Sequence, residues 1–271
     1  MGRGRPNRRP WCETIRRRGG GPPTHVRDTE DLPAGYHATL DAGLSALGLV
    51  LDADARRAID GHLRLLLAWT TAINLTGVRD PVLAATAHVL DSLSAAAAMR
   101  ERGLDHILDL GSGGGFPGIP LAAALPASAA MLVEPIGKKA RFLATAIDAV
   151  GLQGRVHVAA TRAETLAADP RHRGAWRAVT ARAVASMAEL VELSFPLLVP
   201  GGVLIAWKRG DLDEELALAR SAIAALGGGS LESLDVAVPG LDGHRLVLAT
   251  RTGRVPDDYP RDPAARRRRP W

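Results

Sequence analysis

The run Ile107-Leu108-Asp109-Leu110, followed by Gly111, Gly113, Gly114 and Gly115 and then by Phe116-Pro117-Gly118-Ile119-Pro120, constrains the fold more than any other part of the chain. A short apolar run ends beside a carboxylate, the backbone turns through glycines, and an apolar helical pattern restarts within a few residues. Glycine passes where a Cβ would collide and adopts positive φ without steric cost. A helix that starts directly afterwards presents unpaired N–H groups to a polar ligand. Strand, glycine turn and helix in this order open a parallel α/β sheet and a nucleotide-type cofactor site.

From residue 105 onward, strand-like runs alternate with helical ones. Residues 106–110, 130–134, 155–159, 176–181, 202–207, 233–238 and 245–250 read as strands. Residues 117–125, 138–150, 186–196 and 211–226 read as helices, with a shorter helical turn near 162–167. This alternation predicts an α/β fold, a mostly parallel sheet with helices on both faces. Only residues 239–244 separate the last two strands, which are therefore predicted to pair antiparallel at one edge. Ahead of the sheet, 37–50, 53–74 and 80–99 read as helices. The second has Asp52 as its N-cap and a stripe of Ile59, Leu63, Leu66, Leu67 and Ile73; the third starts at Asp80-Pro81. The chain divides into a disordered basic tail (1–36), a helical segment (37–104), an α/β domain (105–250) and a basic, partly ordered C-terminal tail (251–271).

The formal net charge of +5 is unevenly placed. Residues 1–30 hold eight Arg against three acids and residues 251–271 seven Arg against three, which leaves the body 31–250 at net −4. A basic pI therefore does not make the folded body a general nucleic-acid binder. The tail arginines are candidates for salt-dependent phosphate attraction. Cys12 is the single cysteine, which excludes an intramolecular disulfide or a Cys-rich zinc site and fits a reducing, cytoplasmic setting. Arg8-Arg9 and Arg16-Arg17-Arg18 are followed by Gly and Pro rather than an apolar run, so they do not read as an export signal. The apolar stretch Leu190 to Trp207 contains Glu192, two prolines and Gly201-Gly202, a helix, turn and strand rather than a membrane span.

The glycine loop admits more than one reading. Gly113, Gly115 and Gly118 match the dinucleotide fingerprint, but Gly111 is the first glycine after the strand and Pro117 and Pro120 crowd the first helical turn. The alternative register, Asp109-x-Gly111-x-Gly113-x-Gly115, is the pattern of S-adenosylmethionine-dependent methyltransferases. In it Gly111 and Gly113 admit the methionine part, and Glu134 at the end of the second strand accepts the ribose hydroxyls. A purely structural turn is the third reading.

Further segments are similar to one family. Ile73-Asn74-Leu75-Thr76-Gly77-Val78-Arg79-Asp80-Pro81, His88-Val89-Leu90-Asp91-Ser92-Leu93, the Phe116-Pro117-Gly118-Ile119-Pro120 ending and Gly137-Lys138-Lys139-Ala140-Arg141-Phe142-Leu143 all carry the likeness. So do Thr161-Arg162-Ala163-Glu164, Thr180-Ala181-Arg182-Ala183, Lys208-Arg209-Gly210 and Tyr259-Pro260-Arg261. Together they resemble the guanine-N7 methyltransferases of small-subunit ribosomal RNA (the RsmG family, also called GidB) over about residues 38–262. Departures are the long basic N-terminal stretch, Glu134 where Asp is also common, and Arg209 before the glycine of the usual Lys-Gly pair. The resemblance implies a class I, Rossmann-like methyltransferase fold, S-adenosylmethionine as cofactor, and methylation at N7 of a guanine in the 530 loop of 16S ribosomal RNA. It places cofactor contacts on Gly111, Phe116, Glu134, Ala163, Glu164 and Arg182.

Guanine N7 carries a lone pair and no proton, so its methylation requires no general base. Substrate positioning needs donors to phosphate and to guanine O6; Arg79, His88, Arg182 and Lys208 are the candidates. A surface arginine for Arg79 and a satisfied core histidine for His88 are the bland alternatives. Trp69 and Trp207 read as core aromatics rather than base platforms, and Lys138, Lys139 and Arg141 as either a solvated face or a phosphate contact. The expected partner is 16S ribosomal RNA or the 30S subunit, with no metal and no membrane, and the chain is expected to act as a monomer. A small-molecule methyltransferase and a noncatalytic RNA-binding module with a vestigial loop are the rival functions.

Overall fold

The computed structural model describes residues 21–271. Seven strands form one sheet: β1 (His106–Leu110), β2 (Ala129–Val133), β3 (Val156–Ala159), β4 (Trp176–Arg182), β5 (Leu198–Arg209), β6 (Gly229–Asp235) and β7 (His244–Arg251). Their order is β3-β2-β1-β4-β5-β7-β6. β1 to β5 are parallel, and β7 runs antiparallel to both β5 and β6. The expected mostly parallel sheet with an antiparallel last pair is present; β7 lies inside the sheet and β6 takes the edge.

Helices cover both faces. α1 (Ala34–Ala46), α2 (Ala53–Trp69) and a helical run from residue 81 precede the sheet. That run comprises α3 (Pro81–Ala84), a π-helical stretch (Ala85–Leu90), α4 (Asp91–Leu93) and α5 (Ala96–Glu101). Within the domain follow α6 (Gly118–Ala124), α7 (Gly137–Ala149), α8 (Ala163–Ala168), α9 (Met187–Ser194), α10 (Asp213–Ala225) and, near the C-terminus, α11 (Pro263–Arg268). Side chains of a strand alternate between faces, and the core divides accordingly. Ile107, Ala178, Ile205 and Leu248 face α1, α2, α6 and α7. Leu108, Val179, Leu204 and Val247 face α9 and α10. Residues 81–101 are apolar and long enough to cross a membrane, yet most of that stretch is buried inside this fold.

Several expected boundaries move, among them α1, at Ala34–Ala46 rather than 37–50, β5, at Leu198–Arg209 rather than 202–207, and β6, at Gly229–Asp235 rather than 233–238. α2 ends at Trp69, not 74, where Thr70 turns its hydroxyl back to the Leu66 carbonyl at 2.7 Å. The helix expected over 80–99 passes through a π-helical stretch. Of the stretch 1–36 read as a tail, residues 1–20 lie outside the described residues, whereas 21–36 fold onto α2. Trp69 Nε1 donates to the Pro23 carbonyl at 2.7 Å, Arg64 Nη2 to the Thr29 carbonyl at 2.9 Å, and Leu32 is buried. The C-terminal stretch likewise docks on α8 and α9.

Candidate active site

The glycine loop leaves β1 at the carboxyl end of the sheet, where open parallel sheets collect ligands. Gly111, Gly113 and Gly115 take φ of +69°, +55° and +87°, the left-handed region that favours glycine. The N–H groups of Gly111 and Ser112 donate to the Val133 carbonyl at 2.9 and 3.1 Å, which bends the loop over the end of β2. Glu134 follows β2 and is 4% exposed. Its Oε2 accepts from Gly113 N at 2.9 Å and its Oε1 from Ile136 N at 2.8 Å, so one carboxylate ties the loop to the start of α7. Asp109 lies beneath the loop, fully buried, accepting from Thr180 Oγ1 at 2.8 Å. Burial pushes its pKa up to about 6, and its Oδ2 has no hydrogen-bond partner.

Phe116 closes the loop and sits among three polar side chains. His62 from α2 is 4.5 Å away between ring centroids, His88 stacks at 5.0 Å, and the Arg182 guanidinium lies 5.5 Å from the ring centre. His88 Nδ1 is 3.0 Å from the Ala87 carbonyl, which can only accept, so Nδ1 carries the proton and Nε2 accepts from Thr76 Oγ1 at 2.6 Å. Burial, then the charge of Arg182, pushes His88 down to about 4, and the ring is neutral. His62 donates from Nε2 to the Gly114 carbonyl at 2.7 Å. Its burial lowers its pKa to about 4 as well.

Arg182 ends β4. Its Nη1 donates to Asp91 Oδ2 at 2.8 Å and to the Ala87 carbonyl at 3.0 Å. Nη2 and Nε have no hydrogen-bond partner among the described residues. Asp91 in turn contacts His244 Nδ1 through Oδ1 at 3.1 Å, and its own carbonyl accepts from Trp207 Nε1 at 2.6 Å. The sequence reading missed Asp91, His244 and His62 as parts of this site. Asp91 and His62 sit inside apolar helical stripes, and His244 becomes adjacent only because β7 pairs with β5.

The remaining predicted residues divide. Gly111, Gly113, Phe116, Glu134, His88 and Arg182 converge around the loop. Lys208 is engaged elsewhere: Nζ donates to the Ala185 carbonyl at 2.8 Å and to Glu215 Oε1 at 2.6 Å, and Glu215 also accepts from Met187 N at 2.6 Å. The lysine thus braces the turn after β4 that carries Val184, whose Cγ2 would lie 2.8 Å from a Cβ on Gly111. Arg79 is exposed just before α3, beside Asp80. Ala163 and Glu164 open α8 after β3, and Glu164 is ion-paired with Arg266 of α11. Trp69 and Trp207 are packed against the core. Among the described residues no group of three or more His, Cys, Asp or Glu is arranged to hold a metal ion.

These residues fit S-adenosylmethionine. The loop has a shape only glycines take freely, and the Glu134 carboxylate has accepted two of the roughly four hydrogen bonds it can take, which leaves capacity for two ribose hydroxyls. A family model described as GidB, rRNA small subunit methyltransferase G, matches residues 56–237. A ribosomal RNA small subunit methyltransferase G of Dehalococcoides mccartyi is 40% identical over 220 residues, 81% of this chain and 93% of the relative. Its counterpart in Roseiflexus sp. is 40% identical over 228 residues, 83% of this chain and 95% of the relative. Among solved structures, the S-adenosylmethionine-dependent methyltransferase SibL in its apo form superposes with a TM-score of 0.50 at 16% identity, covering 80% of this chain and 74% of the other, a likeness of fold. With the glycine loop, the acid after β2 and the sheet order in place, this chain belongs to the GidB family of small-subunit ribosomal RNA methyltransferases.

Proposed function

We propose that this chain methylates N7 of a guanine in the 530 loop of 16S ribosomal RNA, acting in the cytoplasm on the RNA or on the 30S subunit. The supporting observation is the chemistry around Phe116. His88 is neutral with both ring nitrogens engaged, and the Arg182 guanidinium is held by Asp91. Neither group is arranged to remove a proton, which suits a nucleophile that carries none. When bound, S-adenosylmethionine supplies an electrophilic methyl group, which guanine N7 takes with its own lone pair.

The chain's task is then to orient and enclose. Gly111, Gly113 and Glu134 hold the cofactor's amino-acid and ribose parts, and Ala163 and Glu164 line the adenine. The buried Phe116 backs the neutral, half-buried His88, whose ring is the surface a base can lie against. Arg182 offers Nη2 and Nε to guanine O6 or to a phosphate while Asp91 fixes its plane. Arg79, exposed ahead of α3, contacts the RNA backbone. Lys208 holds the turn after β4 in place.

Transfer of labelled methyl to 30S subunits and to naked 16S RNA, with the modified base mapped by strand scission at N7-methylguanine, tests the reading. Label on a 530-loop guanine is expected. Label elsewhere, or none from a protein that binds S-adenosylhomocysteine, would overturn it.

A further inference from the structure

We propose that the C-terminal segment is a latch that positions Glu164 against the cofactor's adenine, with Arg266 as the positioning residue. This rests on the assignment of Glu164 to the cofactor site made above. The segment is fastened at both ends to one carboxylate. Glu192 on α9, fully buried, accepts from Arg261 N at 2.8 Å, from Arg261 Nε at 3.0 Å and Nη2 at 2.6 Å, and from Trp271 Nε1 at 2.7 Å. The Arg261 guanidinium lies 5.1 Å from the Trp271 ring centre and 5.7 Å from that of Tyr259, and Nη1 donates to the Arg269 carbonyl at 2.8 Å. Arginine suits this junction because its planar fork satisfies a carboxylate while its face stacks on rings.

Between these anchors Asp262 caps α11, accepting from Ala264 N at 2.8 Å and Ala265 N at 2.9 Å. The helix is thereby oriented so that Arg266 turns inward while Arg267, Arg268 and Arg269 stay exposed. The Arg266 side chain, 10% exposed, pairs with Glu164 Oε1, reaches Glu189 Oε1 through Nε at 3.1 Å, and donates from Nη1 to the Arg261 carbonyl at 2.6 Å. Glu164 is 18% exposed and stands in the first turn of α8, directly after β3. Without Arg266, its carboxylate would be partly buried, uncompensated and free to change rotamer, so the segment restricts Glu164 to one orientation at the start of α8.

The test is calorimetric titration of the full chain with S-adenosylhomocysteine. Glu164→Ala and Arg266→Ala are each expected to weaken binding about tenfold, the scale of one charge-assisted hydrogen bond. The double variant should be no weaker than either single one, and Arg266→Lys should recover most of the affinity. Arg267→Ala, one residue along on the exposed face, should bind like the parent chain. If Glu164→Ala binds normally, the assignment of Glu164 to the cofactor fails. If Glu164→Ala weakens binding and Arg266→Ala does not, or if the two losses add, the latch is overturned and the cofactor assignment stands. Should Arg266→Ala not fold, Arg266→Lys and Arg266→Gln decide: equal affinities for those two would also overturn it.

Discussion

Asp91 meets an arginine and a histidine with a single carboxylate, Arg182 through Oδ2 at 2.8 Å and His244 through Oδ1 at 3.1 Å, in a setting where its side chain is 5% exposed. Removing one partner of a buried pair leaves the other charge uncompensated and costs on the order of 3–5 kcal/mol. Asp91→Asn keeps the shape and one acceptor, so about 3 kcal/mol of stability is expected to go, read as a lower urea midpoint at unchanged m-value. Methyl transfer should fall more than about tenfold, because Arg182 loses the contact that fixes its plane. An unchanged midpoint would mean that the carboxylate contributes nothing to holding the arginine. Arg182 was legible in the sequence from its place at the end of a strand and from the motif around it. Its partners were not: an aspartate in an alanine-rich helix and a histidine after a turn carry no local mark of a shared contact.

Asp80 shows the same contrast for an element. It accepts from Val82 N at 2.8 Å and Leu83 N at 3.3 Å and so caps α3, with Pro81 in the first helical turn. Asp80→Ala is expected to cost about 1 kcal/mol in urea unfolding, with far-UV circular dichroism nearly unchanged, since only the first turn of the run loosens. This cap was readable because Asp-Pro ahead of an apolar run has one common structural use. The central strands were readable as short apolar runs, buried on both faces of the sheet, set between longer helical patterns. The insertion of β7 between β5 and β6 was not readable, because it depends on which pair of neighbours β7 satisfies with its two edges. The C-terminal stretch was read as a tail for a related reason. Its composition is Arg and Pro, and the acids that fix it, Glu164, Glu189 and Glu192, lie far back in the chain.

For the molecule as a whole, three buried titratable groups around the glycine loop make stability depend on pH between 5 and 6. His62 and His88 have pKa values of about 4 in the folded chain, below the ordinary 6.5, so the unfolded chain takes up their protons first and stability falls as pH drops below 6.5. Asp109, raised to about 6 from 3.8, acts in the opposite sense: the folded chain holds a proton that the unfolded chain has released, and stability is lost as pH rises towards and through 6. Between pH 5 and 6 the two histidines outweigh the one aspartate, leaving a net loss of roughly 1.4 kcal/mol per pH unit of acidification. His62→Gln should flatten that slope, as one histidine then balances Asp109; urea titrations at pH 5, 5.5 and 6 would read it. A slope unchanged by His62→Gln would remove His62 from the account.

His62 also carries a contact from the N-terminal helices to the site around the glycine loop, beside those of His88 and Asp91. It comes from α2, yet its Nε2 holds the Gly114 carbonyl at 2.7 Å and its ring lies against Phe116. The glycine loop therefore does not own its shape. A chimera that grafts residues 105–250 onto another leader would inherit every residue of the loop and none of the ring that holds it, so such a graft from this chain has to carry α2 with the sheet.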